Sequence, residues 1–172
     1  MGGPKAVIDL FRVADGKLVE HWDAIQDIPE STVSGRSMTD GPTAIKDREL
    51  TAVNKQLVTG FVTDILINGK GEKLTDYIGE TYHQHNPNVG DGLKGLGEFI
   101  GYLADNNISF FYKTIHRVVA EGNFVFTQSE GDFGGAPTAF YDLFRVEGGL
   151  IVEHWDVVQQ IPNEFAHDNG MF

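Results

Sequence analysis

The chain has 172 residues, 25 acidic against 13 basic side chains for a formal charge of −12, six histidines and no cysteine. That length holds one sizeable core plus an appendage, but hardly two ordinary domains. The acid excess argues against nucleic acid or an anionic membrane surface as partner, since both need basic patches, and the missing thiols exclude disulfides, a thiolate nucleophile and cysteine-ligated metal.

Asp9 and Arg12 interrupt the start before any apolar run of signal-peptide length, and nowhere are about 18 consecutive residues apolar, so a cytoplasmic protein without membrane association is expected. Residues 4–30 recur at 137–163 without a gap, identical at 16 of 27 positions and including DLFRV and VEHWD in both copies. Material between them occurs once, so this is no solenoid. Residues 1–32 are read as a partial repeat, a β-hairpin duplicating 137–163 with its turn at 14–17. A two-stranded hairpin is unstable alone, so Val7, Leu10, Phe11, Val13, Leu18 and Trp22 are expected to cover something. The hairpin would add to a sheet edge or fill the equivalent hairpin's place in a neighbouring unit, an exchange between protomers. Asp9, His21 and Asp23 copy Asp142, His154 and Asp156, without a closed pocket around them.

Residues 33–43 are polar and turn-rich and read as a linker; 44–163 form the domain and 164–172 a tail. Apolar residues at 3,4 spacing predict a helix over 45–67, followed by a shorter one over 73–80, an extended stretch over 82–87 and a third helix over 93–104. From residue 108 the period changes. Four β-branched and aromatic runs, 108–120, 124–130, 138–146 and 150–159, are separated by Gly-rich turns. Helices followed by an antiparallel meander make an α+β domain, and its curved sheet would enclose an apolar ligand pocket.

In the last hairpin, a three-residue loop over 147–149 sets Asp142 opposite His154, whereas a two-residue loop sets it opposite a neighbour of His154. Under the first register an apolar face carries Phe140, Asp142, Phe144, Val146, Leu150, Val152, His154, Asp156 and Val158. The other face carries Ile151 and Trp155, and Arg145 and Glu153 can pair there, in solvent or against a partner subunit. A desolvated carboxylate beside an imidazole suits a general acid/base near neutral pH; the alternative is a buried pair that only satisfies itself. Along 82–87, alternation puts His83 and His85 on one side and Tyr82, Gln84 and Asn86 on the other. A metal held by His83 and His85 with His154 or Asp156 ranks below an ordinary polar pocket wall, and no metal is assigned. His116 lies in a strand and reads more readily as a core or surface residue than as a catalyst.

Residues 45–163 resemble the SnoaL-like polyketide cyclase family of the nuclear transport factor 2-like superfamily, which also includes ketosteroid isomerase and scytalone dehydratase. The resemblance rests on His85-Asn-Pro, Asp91-Gly, GLGEF over 95–99, HRVVAEG over 116–122, DLFRV over 142–146, and VEHWD over 152–156 with Gln159. It implies a cone of curved antiparallel sheet packed on three N-terminal helices and carrying the extra hairpin, an apolar cavity, a homodimer joined through sheet faces, and no cofactor. The branch it looks closest to is that of predicted aldol-condensation enzymes. By resemblance the acid/base is Asp142 or Asp156, and His85 and His154 polarise a substrate carbonyl; Tyr82, His83, Asn86, Trp155, Gln159 and His116 are the further candidates for substrate contact. Gln128 and Glu130 stand where relatives often place histidines. The implied ligand is a small apolar carbonyl compound undergoing aldol-type cyclisation, isomerisation or dehydration. The alternatives are a non-catalytic small-molecule binder of the same fold and an inert remnant of the duplication.

Overall fold

The computed structural model describes residues 3–172. The N-terminal repeat forms β1 (Lys5–Ala14) and β2 (Lys17–Asp27), joined by Asp15 and Gly16, both at positive φ. The helical layer is a short 3₁₀ turn (Arg48–Leu50), α1 (Thr51–Phe61), a π-helical turn (Val62–Ile67) and α2 (Leu74–Tyr77). After β3 (Ile78–Gln84) come α3 (Gly92–Asp105), β4 (Phe110–Glu121), β5 (Phe124–Phe133), β6 (Ala136–Glu147) and β7 (Leu150–Gln160).

The five later strands form one curved mixed sheet in the order β3-β7-β6-β5-β4, with β3 parallel to β7 and the rest antiparallel. The expected α+β fold is present, with two changes. The second helix ends at Tyr77 because Ile78 to Glu80 belong to β3, so the sheet is mixed where a wholly antiparallel one was expected. The first helix starts at Thr51, and Leu50 and Val53 stay on the surface. Polar contacts set its rotation: buried Asn54 donates to the Gly122 carbonyl and Thr51 Oγ1 accepts from the Gly122 amide. Val58, Phe61, Val62 and Ile65 then enter the core with Phe140, Phe144, Val146 and Ile151.

The β6–β7 register departs from the three-residue loop. Glu147 faces Leu150 across a two-residue turn, with Gly148 and Gly149 at φ 59° and 79°, the doubly positive geometry of a tight hairpin turn. Val146 then faces Ile151, Arg145 faces Glu153, and Val152 is left over as a bulge. The bulge flips strand parity. Ile151, expected on the outer face, lies in the core, while His154 and Asp156 stay on the inner face as expected. Asp142 pairs with Asp156 and Phe144 with His154.

The β1–β2 hairpin joins no edge of the large sheet; it is a two-stranded sheet of its own. Its even-numbered face lies on the outer side of β6–β7, where Ala6 and Ala24 are buried with Ala139, Tyr141 and Val157, flanked by Ile8 and Trp22. The Arg117 guanidinium sits 3.9 Å above the Trp22 ring. Two hydrogen bonds are reciprocal: Ile25 N donates to Gln159 Oε1 (2.7 Å) and Val158 N to Gln26 Oε1 (2.9 Å). Since Ile25 and Gln26 are the repeat equivalents of Val158 and Gln159, the two hairpins meet as in an isologous interface. Of the residues expected to be covered, only Leu10 and Trp22 are partly so; Val7, Phe11 and Val13 face solvent because they occupy the odd-numbered face, and Leu18 joins them because it pairs with Val13 ahead of the Val19 bulge, which flips parity.

The segment 33–43 lacks regular secondary structure but is strapped across the outer side of β3 and β7. Arg36 chelates Asp91 (2.8–3.0 Å), Met38 is buried, and the Asp40 carbonyl accepts from Trp155 Nε1 at 2.7 Å. Among the described residues no helix is long and apolar enough to cross a membrane.

Candidate active site

Between the helical layer and the inner sheet face lies a partly enclosed, mostly apolar cavity. Phe61, Ile65, Phe99, Phe110, Phe133, Phe140 and Phe144 supply apolar walls; Tyr82, Gln84, Asn86, Tyr112, His154 and Asp156 supply polar atoms. β3 presents Tyr82 and Gln84 inward by alternation, the extended chain just beyond it adds Asn86, and β7 presents His154 and Asp156 on the same side.

Asp142 is fully buried behind this wall. Its Oδ1 accepts from Tyr112 Oη (3.0 Å) and His154 Nε2 (3.1 Å), and its Oδ2 from Thr127 Oγ1 at 3.4 Å. His154 Nδ1 meets Gln84 Oε1 at 2.9 Å. Both ring nitrogens thus face acceptors, which defines a doubly protonated imidazolium. Burial works against that charge, but the Asp142 hydrogen bond and the charges of Asp156 and Asp142 outweigh it, and the His154 pKa is raised. Phe144 (4.7 Å) and Tyr82 (6.4 Å) stack on the ring, favourable contacts for a cation.

Asp156 is differently placed. Oδ2 accepts from Asn86 Nδ2 at 2.7 Å, whereas Oδ1 is buried with no hydrogen-bond partner. Desolvation, helped by the charge of Asp142 and opposed by His154 and Asn86, raises its pKa to about 6. A carboxylate with one free oxygen in an apolar cavity, half ionised near pH 6 and mostly ionised at neutral pH, is equipped to exchange a proton with a ligand. Tyr82 Oη accepts from Gln84 Nε2 (3.3 Å), which leaves its own proton for an acceptor in the cavity, and burial raises its pKa so that the proton is retained.

The remaining sequence-predicted residues lie elsewhere. His85 is on the opposite side of the sheet, stacked on Trp155 (4.7 Å), with Nε2 at 3.0 Å from Glu153 and Nδ1 at 2.5 Å from the Ser37 carbonyl. It does not reach the cavity, because alternation along β3 turns it away from Tyr82 and Asn86. His83 bonds Arg36 on that outer side, Trp155 bonds Asp40, and Gln159 bonds Ile25. His116 pairs with Glu130 and stacks on Phe172. Arg145 and Glu153 do pair (2.7 Å), buried under the 33–43 strap. Gln84, Tyr112 and Thr127 complete the inner network and were not singled out from sequence. Gln84 was legible from its alternation with Tyr82, whereas Tyr112 and Thr127 required the strand registers.

His83 and His85 cannot converge on a metal with His154 or Asp156 across the sheet. Asp142, His154 and Asp156 do bring one ligand atom each within 4.8 Å of one another, but a cation there would have to displace the His154 proton that its surroundings stabilise.

Fold and site together define a nuclear transport factor 2-like cone with an acid/base cluster in its wall. The model of the SnoaL-like domain matches residues 58–154, more than half of the chain, and the chain belongs to that family. No curated protein matches it significantly. Among solved structures, a protein of unknown function with cystatin-like fold from Xanthomonas campestris is similar at 22% identity and a TM-score of 0.53, covering 61% of this chain and 89% of that one. A candidate ketosteroid isomerase from Kribbella flavida is similar at 16% identity and a TM-score of 0.50, covering 70% and 86%. IdmH from Streptomyces antibioticus, named as a candidate polyketide cyclase, shares 20% identity at a TM-score of 0.48, covering 61% and 91%. At such identities the likeness is one of fold.

Proposed function

We propose that this protein enolises a small apolar carbonyl compound, with Asp156 as the acid/base. The observation that carries the reading is the unpartnered, buried Asp156 Oδ1 in the cavity wall. The Asp156 carboxylate takes a proton from the carbon next to the carbonyl, and the C–H electron pair moves into an enolate whose oxygen is bonded by the Tyr82 hydroxyl. A well-placed donor of this kind lowers the barrier by about 3 kcal/mol. The enolate then attacks a second carbonyl of the same molecule, whose oxygen takes the proton from Asp156; or takes that proton back at another carbon; or expels a β-hydroxyl, which leaves as water with that proton. All three outcomes share the enolisation and need no cofactor.

Asp142 lies behind the cavity wall and not in its lining, with three donors on its two oxygens, so it holds His154 as imidazolium and acts as a positioning residue. His154 in turn keeps the cavity's electrostatics favourable to an anion.

The test is exchange of α-hydrogens for deuterium in D₂O, followed by NMR across a panel of small apolar ketones. Wild type should exchange at least one; Asp156→Asn should lose roughly 10²–10⁴-fold while keeping its circular dichroism spectrum. Equal exchange by the variant overturns the assignment. Tight binding of ketones with no exchange by wild type replaces it with the reading of a non-catalytic binding protein.

A further inference from the structure

The odd-numbered face of β1–β2 is a copy of the cavity wall turned to solvent. Val7, Asp9, Phe11 and Val13 on β1 correspond to Phe140, Asp142, Phe144 and Val146; His21 and Asp23 on β2 correspond to His154 and Asp156. The correspondence extends to geometry. Asp9 pairs with Asp23 and Phe11 with His21, and Val19 is left over as a bulge, as Val152 is. Phe11 stacks on His21 at 4.5 Å, against 4.7 Å for Phe144 on His154. His21 Nε2 is 2.7 Å from Asp9 Oδ1. Yet Phe11 is 46% exposed and Val13 62%.

Three surfaces that β6–β7 fills are open on β1–β2. β6 uses its outer edge for β5 and β7 uses its outer edge for β3, whereas both outer edges of the two-stranded sheet are unpaired. The inner face of β6–β7 is covered by Phe61, Val62 and Ile65 of the first helix and its π turn, whereas on the corresponding face of β1–β2 Val7, Phe11 and Val13 stay exposed and only the C-terminal segment, through Phe165, His167 and Asn169, lies beside His21 and Asp23. The hairpin is meanwhile held in shape from behind by the reciprocal Gln26 and Gln159 bonds.

We infer that this face is the docking surface for the front half of a second SnoaL-like unit: a polypeptide equivalent to residues 44–136, lacking its own final hairpin. Such a partner brings an apolar helical stripe for Val7, Phe11 and Val13, strands for both open edges, and hydroxyl and amide donors for Asp9 and Asp23, as Tyr112 and Asn86 serve Asp142 and Asp156. Docked, it closes a second cavity whose acid/base cluster is Asp9, His21 and Asp23. A second complete copy of this chain does not fit, since its helical layer is already occupied by its own β6–β7.

The chain has no cysteine, so Val13→Cys gives a single reporter thiol. The full chain carrying it is extended at its N-terminus by residues 40–136, Ala136 being joined to Pro4 as it is to Pro137. Maleimide should label Cys at position 13 readily in the parent and roughly tenfold or more slowly in the extended chain, as burial in a closed unit demands. Phe11→Asp in the extended chain should restore fast labelling. Val146→Cys, buried in both, is the control for an intact original domain. With that control protected, fast labelling of position 13 in the extended chain overturns the inference, as does proteolytic loss of the added residues back to the parent length.

Discussion

Replacing Asp156 by Asn should stabilise the protein at alkaline pH while removing its proposed chemistry. The magnitude follows from burial. Raising a carboxyl pKa from 3.8 to about 6 means that the folded state binds the proton more tightly than the unfolded chain. The stability is therefore fully present below about pH 3.8 and is lost as pH rises through about 6, a difference of roughly 3 kcal/mol at pH 8. Asn is neutral throughout, and its oxygen can still accept from Asn86. Its amide exchanges one unsatisfied acceptor, Oδ1, for one unsatisfied donor, so to first order the hydrogen-bond terms cancel. Urea unfolding from pH 4.5 to 8.5 should show the variant gaining on wild type with rising pH, by about 2–3 kcal/mol at the top of the range. A pH-independent difference, or a variant weaker than wild type at pH 8, refutes the claim that Asp156 is a desolvated carboxylate held at a cost to the fold.

Wild-type exchange of α-hydrogens should rise with pH through about 6 as Asp156 ionises, and a profile flat from pH 5 to 8 contradicts its role as base. Asp142→Ala should lower unfolding free energy by about 3–5 kcal/mol at pH 7, measured by urea titration, because it strands a buried imidazolium and the Tyr112 hydroxyl. His85→Ala should cost about 1–3 kcal/mol through its lost bond to buried Glu153 yet leave the α-exchange rate of the folded protein unchanged. Gly131→Ala forces a methyl group against the Phe111 carbonyl beside the β4 bulge that aims Tyr112 inward; thermal unfolding should register about 1–3 kcal/mol.

The cone, its helices and the inner placement of Asp142, His154 and Asp156 were legible in the sequence because they rest on period and parity. Strand alternation alone separates Tyr82 and Asn86 from His83 and His85. What it could not give is which side of the 82–87 stretch the fold would turn inward. His85, Trp155 and Gln159 sit in or beside the same sequence strings as His154 and Asp156, yet they serve the outer side, where the 33–43 strap and the hairpin lie. That outer cover depends on contacts between residues more than a hundred positions apart, such as Trp155 to Asp40, and no local pattern announces them.

The β6–β7 register is the instructive case, because its cause is local. Sequence allowed a three-residue or a two-residue loop, and Gly148-Gly149 takes the tight one. That choice alone would have slid Asp142 to a neighbour of His154, as parity demands. The bulge at Val152 slides it one step further, to Asp156, and so returns every downstream side chain to its expected face. β1–β2 makes the same turn at Asp15-Gly16 and the same bulge at Val19 without any neighbouring strand to impose them. Turn and bulge are therefore written into the repeated sequence itself, and they set the Asp-His-Asp arrangement in each copy. Inserting one glycine between Gly148 and Gly149 tests this directly. If the hairpin sets the site, the longer loop should relax the bulge and raise the exposure of His154, read as a fall of its NMR-titrated pKa toward the ordinary value of 6.5. An unchanged titration would place control of the register in the surrounding sheet.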